Sequence, residues 1–331
     1  MTKSRKRRTI QIAAAIFVLA LATLYSVYRL NLRAPATSGK AVVFEVKSGQ
    51  TAPMIAANLK TAGLIRDRSA FITYINFHGQ RRLLKAGTYS LSPSLSAPDV
   101  ANILSQGKTL TNRLVVPEGY TIKQIETEAA QLGISVTEFE AALNEPHDQA
   151  FLANKPATVD LEGYLFPDSY TVTSSTTGSQ LVNAMLDNYG RKVGPEYAQA
   201  FAAEGLTLHQ GLTIASVVER EVNNSSDRPI VAQIFLKRYR EKQPLGSDVT
   251  AVYAAQLLGV PFNVNLDSPY NTRKVVGLPP GPICNPGLSA LDAVAHPAIT
   301  NYSFFLTGKD GKTYFAKTYA EHQQNIIKYL N

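Results

Sequence analysis

The longest apolar run in the chain, IQIAAAIFVLALATLYSVYRL, covers Ile10 to Leu30 and meets its first charge only at Arg29. That is about the length a helix needs to cross a bilayer. Beyond a Pro/Ser/Gly linker, LRAPATSGK, the apolar spacing shortens and begins to alternate between strand and helix periods. Val42 to Val46 reads as a strand, Ser-Gly-Gln-Thr as a turn able to cap a helix, and Ile55, Leu59 and Leu64 as the inner face of that helix. Ala86-Gly87-Thr88-Tyr89 reads as a second strand and Ser96 to Ser105 as a further helix. A new unit opens at TNRLVVPEGYTIKQIETEAAQLG, with a strand at Leu114 to Val116 and Thr121 capping a helix. No internal repeat is present. The predicted class is α+β: an N-terminal transmembrane helix (1–33), a small α/β module (34–111) and a larger mixed domain (112–331).

From about Asp160 onward, turn-rich segments separate the regular elements: EGYLFPDSYTV, PLGSDVTAVYAA, SPYNTRKVVGLPPGPICNPG and AHPAITNYSFF. Loops held by a rigid scaffold are where binding and catalytic groups concentrate. One helical segment among them, LTIASVVEREVNN, ends its apolar run on two glutamates. Taking about 100° per residue from Ile214, Val217, Val218, Val222 and Ala215 define one apolar face. Glu221 falls at about −20°, inside that face, whereas Glu219 at about 140° and Arg220 at about −120° fall outside it. The spacing therefore predicts Glu221 as the inward acid and Glu219 as a rim or supporting residue.

Composition narrows the chemistry. A 331-residue chain with 45% apolar residues can bury two cores. Its formal charge of +8 invites a nucleic-acid reading, but Lys3, Arg5, Lys6, Arg7, Arg8, Arg29 and Arg33 supply seven of those charges before residue 34. The remainder is almost neutral, which argues against a broad phosphate-binding surface and a nucleic-acid partner. Basic residues ahead of the apolar run favour a cytoplasmic N-terminus, a plasma-membrane location and an extracytoplasmic bulk. A cleaved signal peptide, with Ala20-Leu21-Ala22 as the processing site, is the competing reading.

Cys284 is the only cysteine, so an internal disulfide and a cysteine-based zinc site are excluded. There is no GxSxG elbow, HExxH helix or phosphate loop, and His78, His147, His209, His296 and His322 are scattered, reading as surface or core-edge residues. What remains is carboxylate chemistry. Burial disfavours the charged form of a glutamate, so an inward Glu221 keeps its proton towards neutrality and can serve as a general acid, the role glycosidic cleavage requires. A Glu paired inside the core for structure alone is the competing reading. Residues two apart on a helix point in nearly opposite directions, so Glu219 and Glu221 cannot form the usual glycosidase pair.

ASVVEREV, DRPIVAQIFLKR, LGSDVTAVYA, SPYNTRKVVGLPPGPICNPG and AHPA, in that order, resemble the MltG/YceG-like endolytic murein transglycosylases. EGYLFPDSY is similar to that family's Glu-Gly-aromatic-Pro-Asp signature, and AVVFEVKSGQTAPMIAANLK resembles a LysM-like module. The resemblance implies a membrane-anchored lyase that acts on peptidoglycan glycan strands without cofactor or metal. It implies Glu221, the second Glu of the Glu-x-Glu pair, as the acid that later acts as base, leaving a 1,6-anhydromuramic end. Glu162, Asp168, Glu219, Asp248, Tyr270 and Asn271 are the expected substrate-binding or supporting residues, and Tyr164 and Phe166 are candidates for stacking on sugar rings. Each also has a structural reading as a cap, turn or packing residue. The lipid bilayer and cell-wall synthases are the expected partners. A catalytically inactive glycan-binding scaffold, or a conventional muramidase using Glu162 or Asp248 as second carboxylate, are the alternatives.

The chain departs from the family pattern at three places. Gly246 stands where a Gln is usual, Val249 where a Pro is usual, and Arg273 at the fourth position of Tyr-Asn-Thr-Tyr. These affect the expected saccharide contacts near Asp248 and Arg273.

Overall fold

The structure, a computed structural model, describes the backbone of residues 3–153 and 155–330 and the side chains of 11–153 and 155–330. The side chains of the basic cluster at Lys3 to Arg8 therefore lie outside the described residues. The chain forms two compact units, residues up to 112 with 173–175, and 113–172 with the rest.

The first unit begins with α1 (Lys3–Asn31), whose stretch Gln11–Asn31 is long and apolar enough to cross a membrane and is not buried in the protein. Ile16, Phe17, Val18, Leu19 and Leu24 are all exposed. Then follow β1 (Val42–Val46), α2 (Ala52–Thr61), α3 (Arg68–Phe77), β2 (Gly87–Leu91) and α4 (Ala97–Gln106). β1 and β2 pair antiparallel, with Val46 opposite Gly87 and Phe44 opposite Tyr89. The inward alternation of Phe44 and Val46 meets Ile55, Leu59, Phe71, Ile75 and Leu104 in one apolar core. Ser96 and Asp99 cap α4 reciprocally, and Leu64, expected on α2, lies just past its end yet is fully buried.

The second unit contains β3 (Asn112–Val115), α5 (Ile122–Gln131), α6 (Val136–Leu143), β4 (Ser169–Val172), α7 (Gly178–Lys192), α8 (Pro195–Ala203) and α9 (Leu208–Glu221). It continues with α10 (Arg228–Arg240), α11 (Asp248–Leu258), α12 (Leu288–Ala295), β5 (Phe304–Thr307), β6 (Thr313–Ala316) and α13 (Tyr319–Tyr329). β3 pairs with β4 and β5 with β6, so the sheets are small and helices form most of the core. The architecture is mixed α and β, dominated by helix.

Thr121 with Gln124, and Thr207 with Gln210, make capping boxes that start α5 and α9. α9 is the hub. It packs against α8, α10, α11 and α12, and His209 together with every residue from Gly211 to Glu219 is buried. Gly211 permits the close crossing of α8, since a Cβ there would lie 2.4 Å from the Phe201 ring. A helix enclosed on all sides has no solvent face, and this overturns the one-face reading of its periodicity. Glu219, expected outside the apolar face, is only 8% exposed, while Glu221 at the helix end keeps partial exposure.

Candidate active site

The C-terminal end of α9 brings together two carboxyl groups with different environments. Glu219 forms an ion pair with Arg228 from the start of α10, Nη2 to Oε1 at 2.5 Å, and its Oε2 accepts the Gly287 N–H at 3.1 Å. Arg228 also donates through Nε to the Val222 carbonyl at 3.4 Å, so one guanidinium ties the helix end to its acid. Burial raises the Glu219 carboxyl above its usual range, opposed by the Arg228 charge. Each oxygen of this glutamate has a donor within the fold.

Glu221 has no cation at ion-pair distance among the described residues. Its Oε1 accepts the Ser247 hydroxyl at 2.5 Å, while Oε2 takes no donor and is not sealed from solvent. Burial raises its carboxyl, and Asp248 adds to the rise; the Ser247 donation and the Arg238 charge pull the other way. An acid that is largely desolvated, hydrogen-bonded on one oxygen and open on the other can give up and retrieve a proton.

Ser247 is itself held from behind. Its N–H donates to Thr272 Oγ1 at 3.2 Å, Thr250 and Thr272 share a hydroxyl contact at 2.9 Å, and the Gly246 N–H donates to the Thr272 carbonyl at 2.9 Å. Ser247 is the N-cap residue of α11 without capping it through its side chain, which leaves the hydroxyl for Glu221. Asp248, expected as a substrate-binding or supporting residue with a helix cap as its structural reading, is the first residue of α11, exposed and paired with Arg273 at 2.7 Å.

The EGYLFPDSY segment builds a second buried acid. Glu162, 4% exposed, accepts the Ile122 N–H with both oxygens at 3.1 Å, Asn285 Nδ2 at 2.9 Å and the Tyr253 hydroxyl at 3.4 Å. Burial pushes its carboxyl up to about 8, against these donors. It borders a cavity of about 500 Å3 that Ile122, Gln124, Asp160, Tyr253 and Leu257 help to line. Gly163 turns the chain here with φ near +90°, where a Cβ would stand 2.6 Å from Pro282.

The remaining expected site residues divide between surface and interior. Asn271 is fully buried, donating to the Val264 and Leu266 carbonyls and accepting the Arg273 N–H, so its amide staples the loop instead of facing a cleft. Asp168 binds the Ser169 N–H and the Asn188 amide, and the Asn188 bond holds its carboxyl below the usual range. Tyr270 is partly exposed and packs edge-on against Tyr253, ring centroids 5.1 Å apart. Tyr164 and Phe166, candidates for sugar stacking, are core residues: the Tyr164 hydroxyl meets His209 Nδ1 at 3.0 Å, and Phe166 is 5% exposed. His209 reaches the Pro280 carbonyl with its other nitrogen, well inside the fold rather than at its edge. Among the described residues no three His, Cys, Asp or Glu side chains converge as metal ligands.

Four residues of this region escaped the sequence reading: Ser247, Arg228, Asn285 and Arg238. Asn285 accepts the Leu165 N–H and donates to Tyr120 and Glu162, joining three segments. In sequence it is one Asn in a Pro/Gly loop. Arg228 did leave a signal, because a cation at the first position of a helix opposes the macrodipole unless it has another duty.

A buried acid closes the central helix, with ordered loops around it, and this is the candidate site for proton transfer. The sequence model of the YceG-like family matches residues 44–328, and the chain belongs to that family. Two relatives are named endolytic murein transglycosylase. That of Streptococcus pneumoniae serotype 2 is 32% identical over 330 residues, covering 89% of this chain and 60% of the relative; that of Bacillus subtilis is 31% identical, covering 88% and 85%. The chain thus spans about 60% of the length of the pneumococcal relative. The crystal structure of a YceG-like protein from Listeria monocytogenes matches with a TM-score of 0.57 at 30% identity, covering 87% of this chain and 99% of the other.

Proposed function

We propose that this chain is an endolytic murein transglycosylase that cuts the β-1,4 bond between N-acetylmuramic acid and N-acetylglucosamine, with Glu221 as acid and then base. The observation that carries the reading is Glu221 itself: a desolvated carboxyl, free of any ion pair, gripped by one hydroxyl and open at the other oxygen. The names of the family relatives support the substrate class.

In the proposed step, protonated Glu221 gives its hydrogen to the bridging oxygen as the bond from that oxygen to muramyl C1 breaks. The muramyl 6-hydroxyl oxygen bonds to C1, and its proton passes to the Glu221 carboxylate. Acid is regenerated, a 1,6-anhydro ring closes and no water is consumed. Attack from within the same sugar lowers the barrier because the nucleophile is already in place. Asp248 and Tyr270, both partly or wholly exposed, offer contacts to the glycan; Glu162, Asp168, Glu219 and Asn271 hold the surrounding loops. The β-α-α-β order of residues 42–91 supports the LysM-like reading of that module, as a glycan binder or a plain spacer. We assign 1–33 as cytoplasmic tail and anchor, 34–111 as this module and 112–331 as the catalytic domain facing outward, with the bilayer and cell-wall synthases as partners.

Digestion of uncrosslinked glycan strands followed by mass spectrometry tests this directly. Anhydro-ended fragments, abolished by Glu221→Gln, are expected. Products heavier by one water would mean a hydrolase, and binding with no product from the wild-type chain would mean a scaffold.

A further inference from the structure

The Arg238 guanidinium, in the last turn of α10, is largely enclosed, yet among the described residues it meets no carboxylate at ion-pair distance. One arm donates to the Leu245 carbonyl and the other to the Ser303 carbonyl, the second at 3.0 Å. The guanidinium also lies against Gly246, where an added Cβ would come within 3.4 Å of Nη1. Leu245 and Gly246 lead straight into Ser247, whose hydroxyl holds Glu221. A largely buried cation held only by carbonyl oxygens, without a carboxylate beside it, gains from any negative charge within electrostatic reach.

The acid that acts electrostatically on Arg238 is Glu221, beyond ion-pair distance. From α10 only Arg238, and from α11 only Asp248, act on its carboxyl electrostatically, and Asp248 is itself paired with Arg273. On the other side, Arg238 faces Glu221, His322 of α13 and the Phe304 ring at 5.9 Å. Resting on the reading of Glu221 as acid and base, we propose that Arg238 is a positioning residue for the reaction. It holds the Leu245–Ser247 segment so that Ser247 stays on Glu221, and it supplies the positive charge that stabilises the carboxylate formed when the proton leaves. It never touches substrate.

The physical consequence is a shared titration. Removing the cation makes the carboxylate less favourable, so Glu221 should hold its proton to higher pH, and the alkaline limb of kcat should move the same way. In the full-length chain in detergent, with carboxyl-labelled glutamate, NMR should show the Glu221 midpoint rising by about one pH unit in Arg238→Gln and by much less in Arg238→Lys. The turnover of folded Arg238→Gln should fall about tenfold, with KM for glycan little changed. In the wild-type chain, the Arg238 Nε resonance should shift with the same midpoint as Glu221 and cease to shift in Glu221→Gln, which gives a readout if Arg238→Gln does not fold. An unmoved Glu221 midpoint, or an Arg238 resonance blind to it, overturns the inference. Shared titration together with full cleavage by Glu221→Gln would instead overturn the functional reading and leave the coupling standing.

Discussion

Burial pushes the carboxyl groups of Glu162, Glu219 and Glu221 upward; Glu219 is answered by the Arg228 ion pair, and the two acids without a cation differ in what surrounds them. Glu162 is saturated: both its oxygens take donors from α5, α11 and the 285 loop, and only 4% of the residue is exposed. Among the described residues, Glu221 has one hydroxyl donor on one oxygen and none on the other. Burial raises both, so burial alone does not mark the acid that does chemistry. What separates them is a free oxygen with access to something outside the fold. Glu162 behaves as the acid that accepts the first N–H of α5 and knits its neighbours, Glu221 as a group kept waiting for a reaction partner.

The sharpest way to break this comparison is to neutralise each acid in turn. Glu221→Gln should lower glycan cleavage by about 10²- to 10⁴-fold, the range for a general acid, with its thermal midpoint within a few degrees of wild type. Glu162→Gln should do the reverse, lowering the midpoint while folded enzyme keeps most of its turnover. Equal losses of turnover in both would erase the distinction. Next in size, Asn285→Ala strips partners from the Leu165 N–H, the Tyr120 carbonyl and Glu162, and should cost about 3 kcal/mol in urea unfolding.

A further effect is a slope. Glu162 titrates near 4.5 when unfolded and about 8 when folded, so the folded state binds the extra proton between those values. Its contribution to stability is therefore complete below about pH 4.5 and declines as pH rises towards 8. Urea midpoints measured across that window should fall with pH in the wild type and lose that part of the slope in Glu162→Gln. An unchanged slope would mean that Glu162 is ionised in the fold, held so by its donors.

Much of the molecule was legible before any coordinates. The membrane-length helix, the 42–46 strand, the capped helices at Ser96 and Thr121 and the helix ending on Glu219 and Glu221 are local patterns of period and cap, and they form where those patterns say. The family motifs singled out Glu221 by order along the chain. The helical wheel singled it out for a reason that did not survive: it assumed one wet face, and α9 has none. Whether Glu219 would find Arg228, and Glu221 only Ser247, depends on residues 9 and 26 positions away. Asn285 meets a partner 120 residues earlier in the chain. Period and capping act over a few residues, so the sequence alone could determine the elements and nominate the acids. Which acid is neutralised, which is saturated and which is left open is decided by charges and donors arriving from other elements, and only the packed tertiary structure brings those together.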